Sequence, residues 1–186
     1  MTTLTRVLLL PGLSDSGPEH WQSHWERSDP SCLRVVQQDW VTPLRSDWVA
    51  TLEAAVAASG SGVVLVAHSA ACALVAFWAV ASSRVVRGAL LVAPSDTEAP
   101  SFPAGPIGWQ PMPLARLPFP SIVAPSSNDE FVSLDRARVF AAAWGSRFVD
   151  VGVAGHLNAA SGLGLWDRGR ALLSEFLDTH SQEALP

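Results

Sequence analysis

The stretch from residue 62 to residue 80 constrains this chain more than any other, because it changes character abruptly at one serine. It reads Gly-Val-Val-Leu-Val-Ala-His-Ser-Ala-Ala-Cys-Ala-Leu-Val-Ala-Phe-Trp-Ala-Val. The part before Ser69 is a β-branched apolar run typical of a buried strand, and the part after it is an alanine-rich run typical of a helix. A serine on a sharp strand-to-helix turn is the setting of a nucleophile elbow, which lifts the hydroxyl above the edge of a parallel sheet.

The residues two before and two after this serine are small, as such a cramped turn requires. The usual pattern is G-x-S-x-G, and here Ala67 and Ala71 occupy the two glycine positions. The chain contains 27 Ala, 13 Gly and 21 Ser, so roughly one match to small-x-Ser-x-small is expected by chance. The position of Ser69 between a strand and a helix, rather than the bare pattern, is therefore what predicts a nucleophile.

The rest of the chain alternates between short apolar runs and helical patterns. The apolar runs cover roughly residues 6–10, 33–37, 62–67, 88–93, 121–125 and 146–151. The helical patterns fall near residues 18–28, 46–58, 70–83, 133–144 and 167–179. Strands that alternate with helices predict an α/β fold, a three-layer α/β/α sandwich around a roughly six-stranded parallel sheet. At 186 residues, the length favours a single domain over residues 1–186.

Composition excludes several classes of protein. The net charge is −5 and all 12 basic residues are scattered arginines, so we expect no nucleic-acid partner. The two cysteines, Cys32 and Cys72, form neither a disulfide framework nor a zinc site. His20 and His24 are spaced to face a metal together, but no third ligand accompanies them, and we expect no metal and no cofactor.

The sequence gives little indication of a signal peptide or a membrane span. Only four apolar residues separate Arg6 from Pro11, far fewer than a signal peptide needs. The apolar stretch 62–81 has the hydropathy of a membrane span, but the interruption at His68 and Ser69 favours a buried strand followed by a buried helix. We therefore expect a cytoplasmic protein without membrane association.

Polar side chains follow three of the predicted strands in an informative order. Ser69 follows the third, Asp129 follows the fifth within Ser-Asn-Asp, and His156 follows the sixth within Gly-His-Leu-Asn. Loops at the carboxyl ends of parallel strands converge on one edge of a sheet. There a histidine can take the serine proton while a carboxylate orients the imidazole. Asp96, after the fourth strand, is the competing acid, and Glu130 is a third candidate.

Two backbone amides are candidates for binding the oxyanion that such chemistry generates. One belongs to Ala70, directly after the serine, and the other to Leu13, in the loop after the first strand. Trp21, Trp109 and Asn158 are candidates for lining a substrate pocket. Asn128 and Asn158 are the only asparagines of the chain, and both stand beside candidate site residues.

The segment 94–120 is the one long irregular stretch. It holds eight of the 14 prolines, together with Trp109. Long loops with a distinct composition are often functional, although a surface loop stiffened by proline is an equally good interpretation. We predict that this segment borders the site and limits the length of the acyl group.

Several blocks of the chain resemble a known family. They are Leu-Leu-Leu-Pro-Gly-Leu-Ser-Asp-Ser-Gly-Pro-Glu-His-Trp-Gln at 8–22, Val-Ala-His-Ser at 66–69, Leu-Leu-Val-Ala-Pro at 90–94, Pro-Phe-Pro-Ser at 118–121 leading into Ser-Asn-Asp, and Ala-Gly-His-Leu-Asn-Ala-Ala-Ser-Gly at 154–162. They are similar to the small α/β-hydrolases of the YdeN and retinoblastoma-binding-protein-nine type. The resemblance spans nearly the whole chain and implies a minimal, lidless α/β-hydrolase fold with Ser69, Asp129 and His156 as a triad. The chain departs from it at Ala70-Ala71, where many members have Leu-Gly.

The resulting expectation is a serine hydrolase that cleaves carboxylic esters of small acyl groups, or thioesters or amides, through an acyl-enzyme. The alternative is a binding module that keeps the fold without catalysis, and the resemblance to a retinoblastoma-binding protein motivates it. No Leu-x-Cys-x-Glu segment for such a partner is present in the sequence, and a protein partner stays unknown. A flavodoxin-like cofactor binder is a weaker alternative, because Pro11-Gly12-Leu13-Ser14 is not a phosphate-binding loop.

Overall fold

Within residues 5–60 and 62–182, six parallel strands form one sheet at the centre of the protein. The computed structural model describes residues 5–60 and 62–182, with side chains through Glu175. The sheet order is β2-β1-β3-β4-β5-β6, and every neighbouring pair is parallel. The strands are β1 (Val7–Leu10), β2 (Cys32–Arg34), β3 (Val64–His68), β4 (Gly88–Val92), β5 (Ser121–Ala124) and β6 (Arg147–Phe148).

In the described part of the chain, five helices cover the two faces of this sheet. They are α1 (Trp21–Ser28), α2 (Arg45–Ser59), α3 (Ala70–Ala81), α4 (Leu134–Trp144) and α5 (Asp167–Gln182), and a 3-10 turn spans Ala159–Ser161. Helices α1 and α5 pack on one face, and α2, α3 and α4 pack on the other. The result is the three-layer α/β/α sandwich that the alternating pattern predicts.

The strands are apolar along their whole length because both faces are covered. In β3, Val64 and Val66 belong to the cluster with α1 and α5, whereas Leu65 and Ala67 face α2 to α4. All four are fully buried. Helix α3 is also buried around most of its circumference, which explains the membrane-like hydropathy of residues 62–81. Within residues 5–60 and 62–182, no helix is both long and apolar enough to cross a bilayer.

The element boundaries differ from the sequence-based ones mainly at the sheet edges. β6 spans two residues rather than the predicted 146–151, although the amides of Val149 and Val151 still donate to the β5 side, to Val123 and Pro125. Helix α1 begins at Trp21 rather than at residue 18, because His20 caps it with a side-chain nitrogen that accepts a hydrogen bond from the Gln22 amide. The carboxyl ends of β1, β3, β4 and β5 lie along one edge of the sheet, where the candidate residues are found.

Candidate active site

Ser69 occupies the sharp turn between β3 and α3. Its backbone has φ 59° and ψ −127°, a left-handed conformation that costs a non-glycine residue free energy and is typical of functional sites. The turn is held by the Ser69 amide, which donates to the Val92 carbonyl at 3.0 Å. Ala67 and Ala71 flank it and are fully buried. The serine hydroxyl is thereby presented at the edge of the sheet.

Close packing at this turn also explains a glycine in the loop after β1. A Cβ atom added at Gly12 would lie 2.8 Å from the Ser69 Cβ and 3.0 Å from the His68 carbonyl oxygen. Neither distance leaves room for a methyl group. Glycine is therefore required where this loop crosses the elbow.

A chain of hydrogen bonds connects Ser69, His156 and Asp129. The Ser69 Oγ lies 2.8 Å from Nε2 of His156, and Nδ1 of His156 lies 2.9 Å from each carboxylate oxygen of Asp129. The Asp129 side chain is 0% exposed and that of His156 is 8% exposed. Because a carboxylate only accepts, the imidazole Nδ1–H donates to Asp129, which leaves Nε2 to accept the serine proton.

The structure separates the three candidate acids. Asp129 is the one that contacts His156, and its Oδ1 also accepts from the Phe131 amide. Asp96 instead forms an ion pair with Arg136 at 2.8 Å. Glu130 is exposed, so Asp129 is the one of the three candidate acids that lies within hydrogen-bond distance of His156.

Asn128 holds the loop that carries His156, a role that its position in the sequence only hinted at. Its side-chain oxygen accepts hydrogen bonds from the amides of Ala154 at 2.9 Å and Gly155 at 2.8 Å. The other asparagine, Asn158, lines the cavity beside Ser69, and its side chain caps the 3-10 turn by accepting from the Ala160 amide.

Two further histidines pack behind His156. The His68 Nε2 donates to the His156 carbonyl at 2.8 Å, and the His20 ring lies 4.7 Å from the His68 ring in an edge-on contact. Burial, with the nearby Arg34 adding to it, lowers the pKa of His20 to about 4, and burial lowers the pKa of His68 well below its usual value. Both rings are therefore neutral near pH 7 and add no positive charge next to His156.

His20 and His24, which the sequence spaces as a possible metal-binding pair, do not point towards each other. His20 points into the protein, whereas His24 contacts Arg27 on the surface at 3.2 Å. Across the described side chains, no group of three or more His, Cys, Asp or Glu residues has a metal-binding arrangement.

A cavity of about 370 Å³ opens directly onto the Ser69 hydroxyl. Its walls include Leu13 and Ala70, the two residues whose amides are oxyanion candidates. Within residues 5–60 and 62–182, no acceptor bonds to either amide, so both stay available. The loop with Leu13 is fixed by Gln22, whose side-chain nitrogen donates to the carbonyls of Leu10 and Val66.

Neither of the two tryptophans that are candidates for a substrate pocket, Trp21 and Trp109, is among the residues that line this cavity. Trp21 is fully buried, and its indole nitrogen donates to the Leu157 carbonyl at 2.8 Å. It therefore supports the histidine loop from behind. Trp109 is 2% exposed and packs edge-on against Trp48 at 5.2 Å. It anchors the 94–120 segment to α2.

Aromatic side chains elsewhere take the place predicted for these tryptophans. Phe102 lines the cavity from the 94–120 segment, and Phe131 lines it from the loop after Asp129. The Phe131 ring contacts the His156 ring with centroids 4.5 Å apart. The segment thus borders the site as predicted, but through its first third rather than through Trp109.

Comparison with known proteins agrees with this architecture. The family model described as serine hydrolase matches residues 7–175. A YdeN-like hydrolase from Pectobacterium atrosepticum has a solved structure that is 33% identical, with a TM-score of 0.84 over 95% of this chain and 92% of that chain. The sequence has no significant match among curated proteins.

More distant structures share the fold. The ydeN gene product from B. subtilis is 17% identical, with a TM-score of 0.71 over 94% of this chain and 100% of that chain. Est1E from Butyrivibrio proteoclasticus is 10% identical, with a TM-score of 0.71 over 96% of this chain and 90% of that chain. With a family match over most of its length and an α/β-hydrolase architecture, the chain belongs to the serine hydrolase family.

Proposed function

We propose that this protein, as a single domain, hydrolyses carboxylic esters of small acyl groups through an acyl-enzyme on Ser69. The observation that carries the proposal is the unbroken chain of hydrogen bonds from Ser69 through His156 to Asp129. A nucleophile, a base within reach of its proton and a group that orients the base are what covalent acyl transfer requires.

The roles follow from the positions of the atoms. His156 Nε2 takes the hydroxyl proton as the Ser69 Oγ attacks the ester carbonyl, and then delivers that proton to the departing alcohol. In the second half of the reaction, water attacks the acyl-enzyme with the same histidine as base. Asp129 holds the imidazole with Nε2 towards the serine and stabilises the imidazolium that forms.

The negative charge that develops on the carbonyl oxygen needs donors in place before the reaction. The amide of Ala70, in the first turn of α3, and the amide of Leu13 flank the cavity and are our candidates. The helix N-terminus adds a favourable dipole there. Both donors belong to backbone that is fixed by packing, so no reorganisation is needed.

The cavity supports a small substrate. Its volume of about 370 Å³ lies at the lower end of the usual range for ligand pockets. Phe102 and Phe131 narrow it, which favours short acyl chains. Solved neighbours with this fold include a type II thioesterase, BorB, and an esterase from Thermogutta terrifontis. Their named activities are consistent with acyl transfer, and the thioester alternative is therefore retained.

The alternative of a non-catalytic binding module is less well supported. Partner binding needs no strained serine, no buried carboxylate on the histidine and no fixed amides around a cavity. These features together favour an enzyme, although fold alone does not determine function.

Labelling with a fluorophosphonate probe tests the proposal. We expect the wild-type protein to be labelled at Ser69, as identified by peptide mapping, and to release p-nitrophenol from p-nitrophenyl acetate with an initial burst. Ser69→Ala should remove both signals while the far-UV circular dichroism stays unchanged. Ser83→Ala, at an exposed serine beyond α3, is the matched control and should behave as wild type. Absent labelling of folded wild-type protein, or full labelling of Ser69→Ala, would disprove the proposal.

A further inference from the structure

A second serine hydroxyl lies next to the nucleophile. Ser95, which follows β4, places its Oγ 2.8 Å from the Ser69 Oγ. It is 7% exposed and lines the same cavity. Its backbone amide also points at the elbow, 3.4 Å from the Ser69 carbonyl oxygen. Ser95 therefore contacts an atom that reacts in the proposed mechanism.

The direction of this hydrogen bond follows from the rest of the site. The single proton of the Ser69 hydroxyl is donated to Nε2 of His156, because Nδ1–H of that ring donates to Asp129. Ser69 can then only accept from Ser95. The Ser95 hydroxyl is thus the donor, and its proton points at a lone pair of the nucleophilic oxygen.

The backbone around Ser95 is built to hold it there. Ala93 has a left-handed φ of 46°, and Pro94 follows it with a restricted φ. Beyond Ser95, Asp96 is paired with Arg136. The Thr97 hydroxyl then donates to the Trp109 carbonyl at 2.8 Å. Strain at a fixed position, compensated by surrounding contacts, is typical of a functional constraint.

We propose that Ser95 is a fourth catalytic residue, a hydroxyl donor to the Ser69 oxygen that assists its attack and its departure. This inference rests on the proposed acyl-enzyme function. Most of the charge in the reaction develops on the carbonyl oxygen, but some is carried by the Ser69 Oγ as its proton moves. A donor already aimed at that atom stabilises the charge without reorganisation.

The proton of Ser95 stays on Ser95 throughout. In the first step, the Ser69 O–H bond breaks, its proton moves to Nε2, the Oγ–carbon bond forms and the carbonyl electron pair moves to the carbonyl oxygen. In the last step, that pair returns, the bond between carbon and the Ser69 oxygen breaks, and the imidazolium returns its proton to the departing Oγ. Ser95 donates to this oxygen in both steps, when the oxygen carries the most charge.

Ser95→Ala tests the role directly, because it removes the hydroxyl and keeps the backbone bond to Ser69. We expect kcat for p-nitrophenyl acetate to fall by about tenfold to a hundredfold, the value of a hydrogen bond to a group that becomes charged. KM should stay nearly constant, since Ser95 contacts the nucleophile rather than the substrate. The rate constant for fluorophosphonate inactivation should fall by a similar factor.

Two variants control for packing. Ser95→Cys keeps the approximate volume but replaces the hydroxyl with a weak donor, so it should lose activity as Ser95→Ala does. Ser95→Thr keeps the hydroxyl and should stay within about threefold of wild type, as expected when no key contact is lost. If Ser95→Ala does not fold, Ser95→Cys provides the same comparison.

A double-mutant cycle gives a readout that is independent of turnover. Unfolding free energies of Ser69→Ala, Ser95→Ala and the double variant should show a coupling between the two sites, because each hydroxyl loses its value when the other is absent. The inference is overturned if kcat of both Ser95→Ala and Ser95→Cys stays within about twofold of wild type. It is also overturned if the changes in unfolding free energy of Ser69→Ala and Ser95→Ala simply add in the double variant. In that case Ser69 labelling would persist and the proposed hydrolase function would stand. If wild-type Ser69 is not labelled at all, the function itself fails.

Discussion

Gly12→Ala is the smallest change that should disable this site without touching a polar group. The added methyl carbon would lie 2.8 Å from the Ser69 Cβ and 3.2 Å from its Oγ. Carbon atoms pack at about 3.5 Å or more, so the loop and the elbow would have to separate by roughly 0.7 Å. The elbow lies between two buried elements and cannot yield easily. The loop with the Leu13 amide is therefore the part that moves.

We expect Gly12→Ala to have a small effect on stability and a large effect on kcat. Overpacking of this kind costs about 1–3 kcal/mol of the free energy of unfolding, which a folded domain normally tolerates. Loss of one oxyanion donor costs about a hundredfold to a thousandfold in kcat. We therefore expect a folded protein with a modestly lower urea midpoint and a kcat for p-nitrophenyl acetate reduced by about a hundredfold or more.

Gly17→Ala is the matched control, because a methyl group there meets no atom within 4 Å. Its urea midpoint should equal that of wild type, and its kcat should stay within about threefold of the wild-type value. A Gly12→Ala protein with wild-type kcat would refute the reasoning, since it would mean that the position of this loop does not matter to catalysis. Equal losses in both variants would assign the effect to a general stiffening of the loop.

Three further predictions concern the acid, the buried histidines and the cavity wall. Asp129→Asn should lower kcat by several orders of magnitude, about 10⁴ in a comparable triad, because the amide selects the wrong imidazole tautomer. Asp96→Asn should lower kcat much less. The reverse ranking of the two variants in steady-state kinetics would contradict the geometry. Acidification should destabilise the protein, because unfolded His20 takes up a proton near pH 6.5 whereas folded His20 does so only near its pKa of about 4. Stability is then complete above about pH 6.5 and falls as the pH drops towards 4, by about 2 kcal/mol between pH 7.5 and pH 5 from this residue alone. His68 contributes with the same sign, and urea midpoints that do not change over this range would contradict both assignments. Short p-nitrophenyl esters should be cleaved better than long ones. Phe102→Ala should extend the range of acyl chain lengths that are cleaved, raising kcat/KM by up to about fourfold for each further methylene accommodated. An unchanged chain-length profile in this variant would show that Phe102 does not contact the acyl group.

The parts of the site that the sequence could predict are those encoded locally. The turn at Ser69 is visible because a strand pattern and a helix pattern meet there. The order of Ser69, Asp129 and His156 is visible because each follows an apolar run. The parallel sheet then brings the three loops to one edge, and the structure places the three side chains within hydrogen-bond distance.

The parts that could not be predicted depend on side-chain direction. Trp21 and Trp109 look the same as pocket residues in a sequence, but each satisfies its indole N–H on a carbonyl far along the chain. Ser95 and Asn128 sit among common turn residues, and nothing local shows that their side chains turn back to the site. Phe131 is two residues from the acid and had no signal beyond that proximity.

Backbone strain marks the same site without reference to its chemistry. Within the described chain, the non-glycine residues with left-handed φ are Ser14, Asp15, Ser69, Ala93, Leu157 and Trp166. All but Trp166 lie in the loops that follow β1, β3 and β4 or directly after His156. Each such residue costs roughly 1–2 kcal/mol, so stability alone would not concentrate them at one edge of the sheet. Their common location implies that the surrounding core compensates for backbone strain around Ser69, His156 and the proposed oxyanion loop.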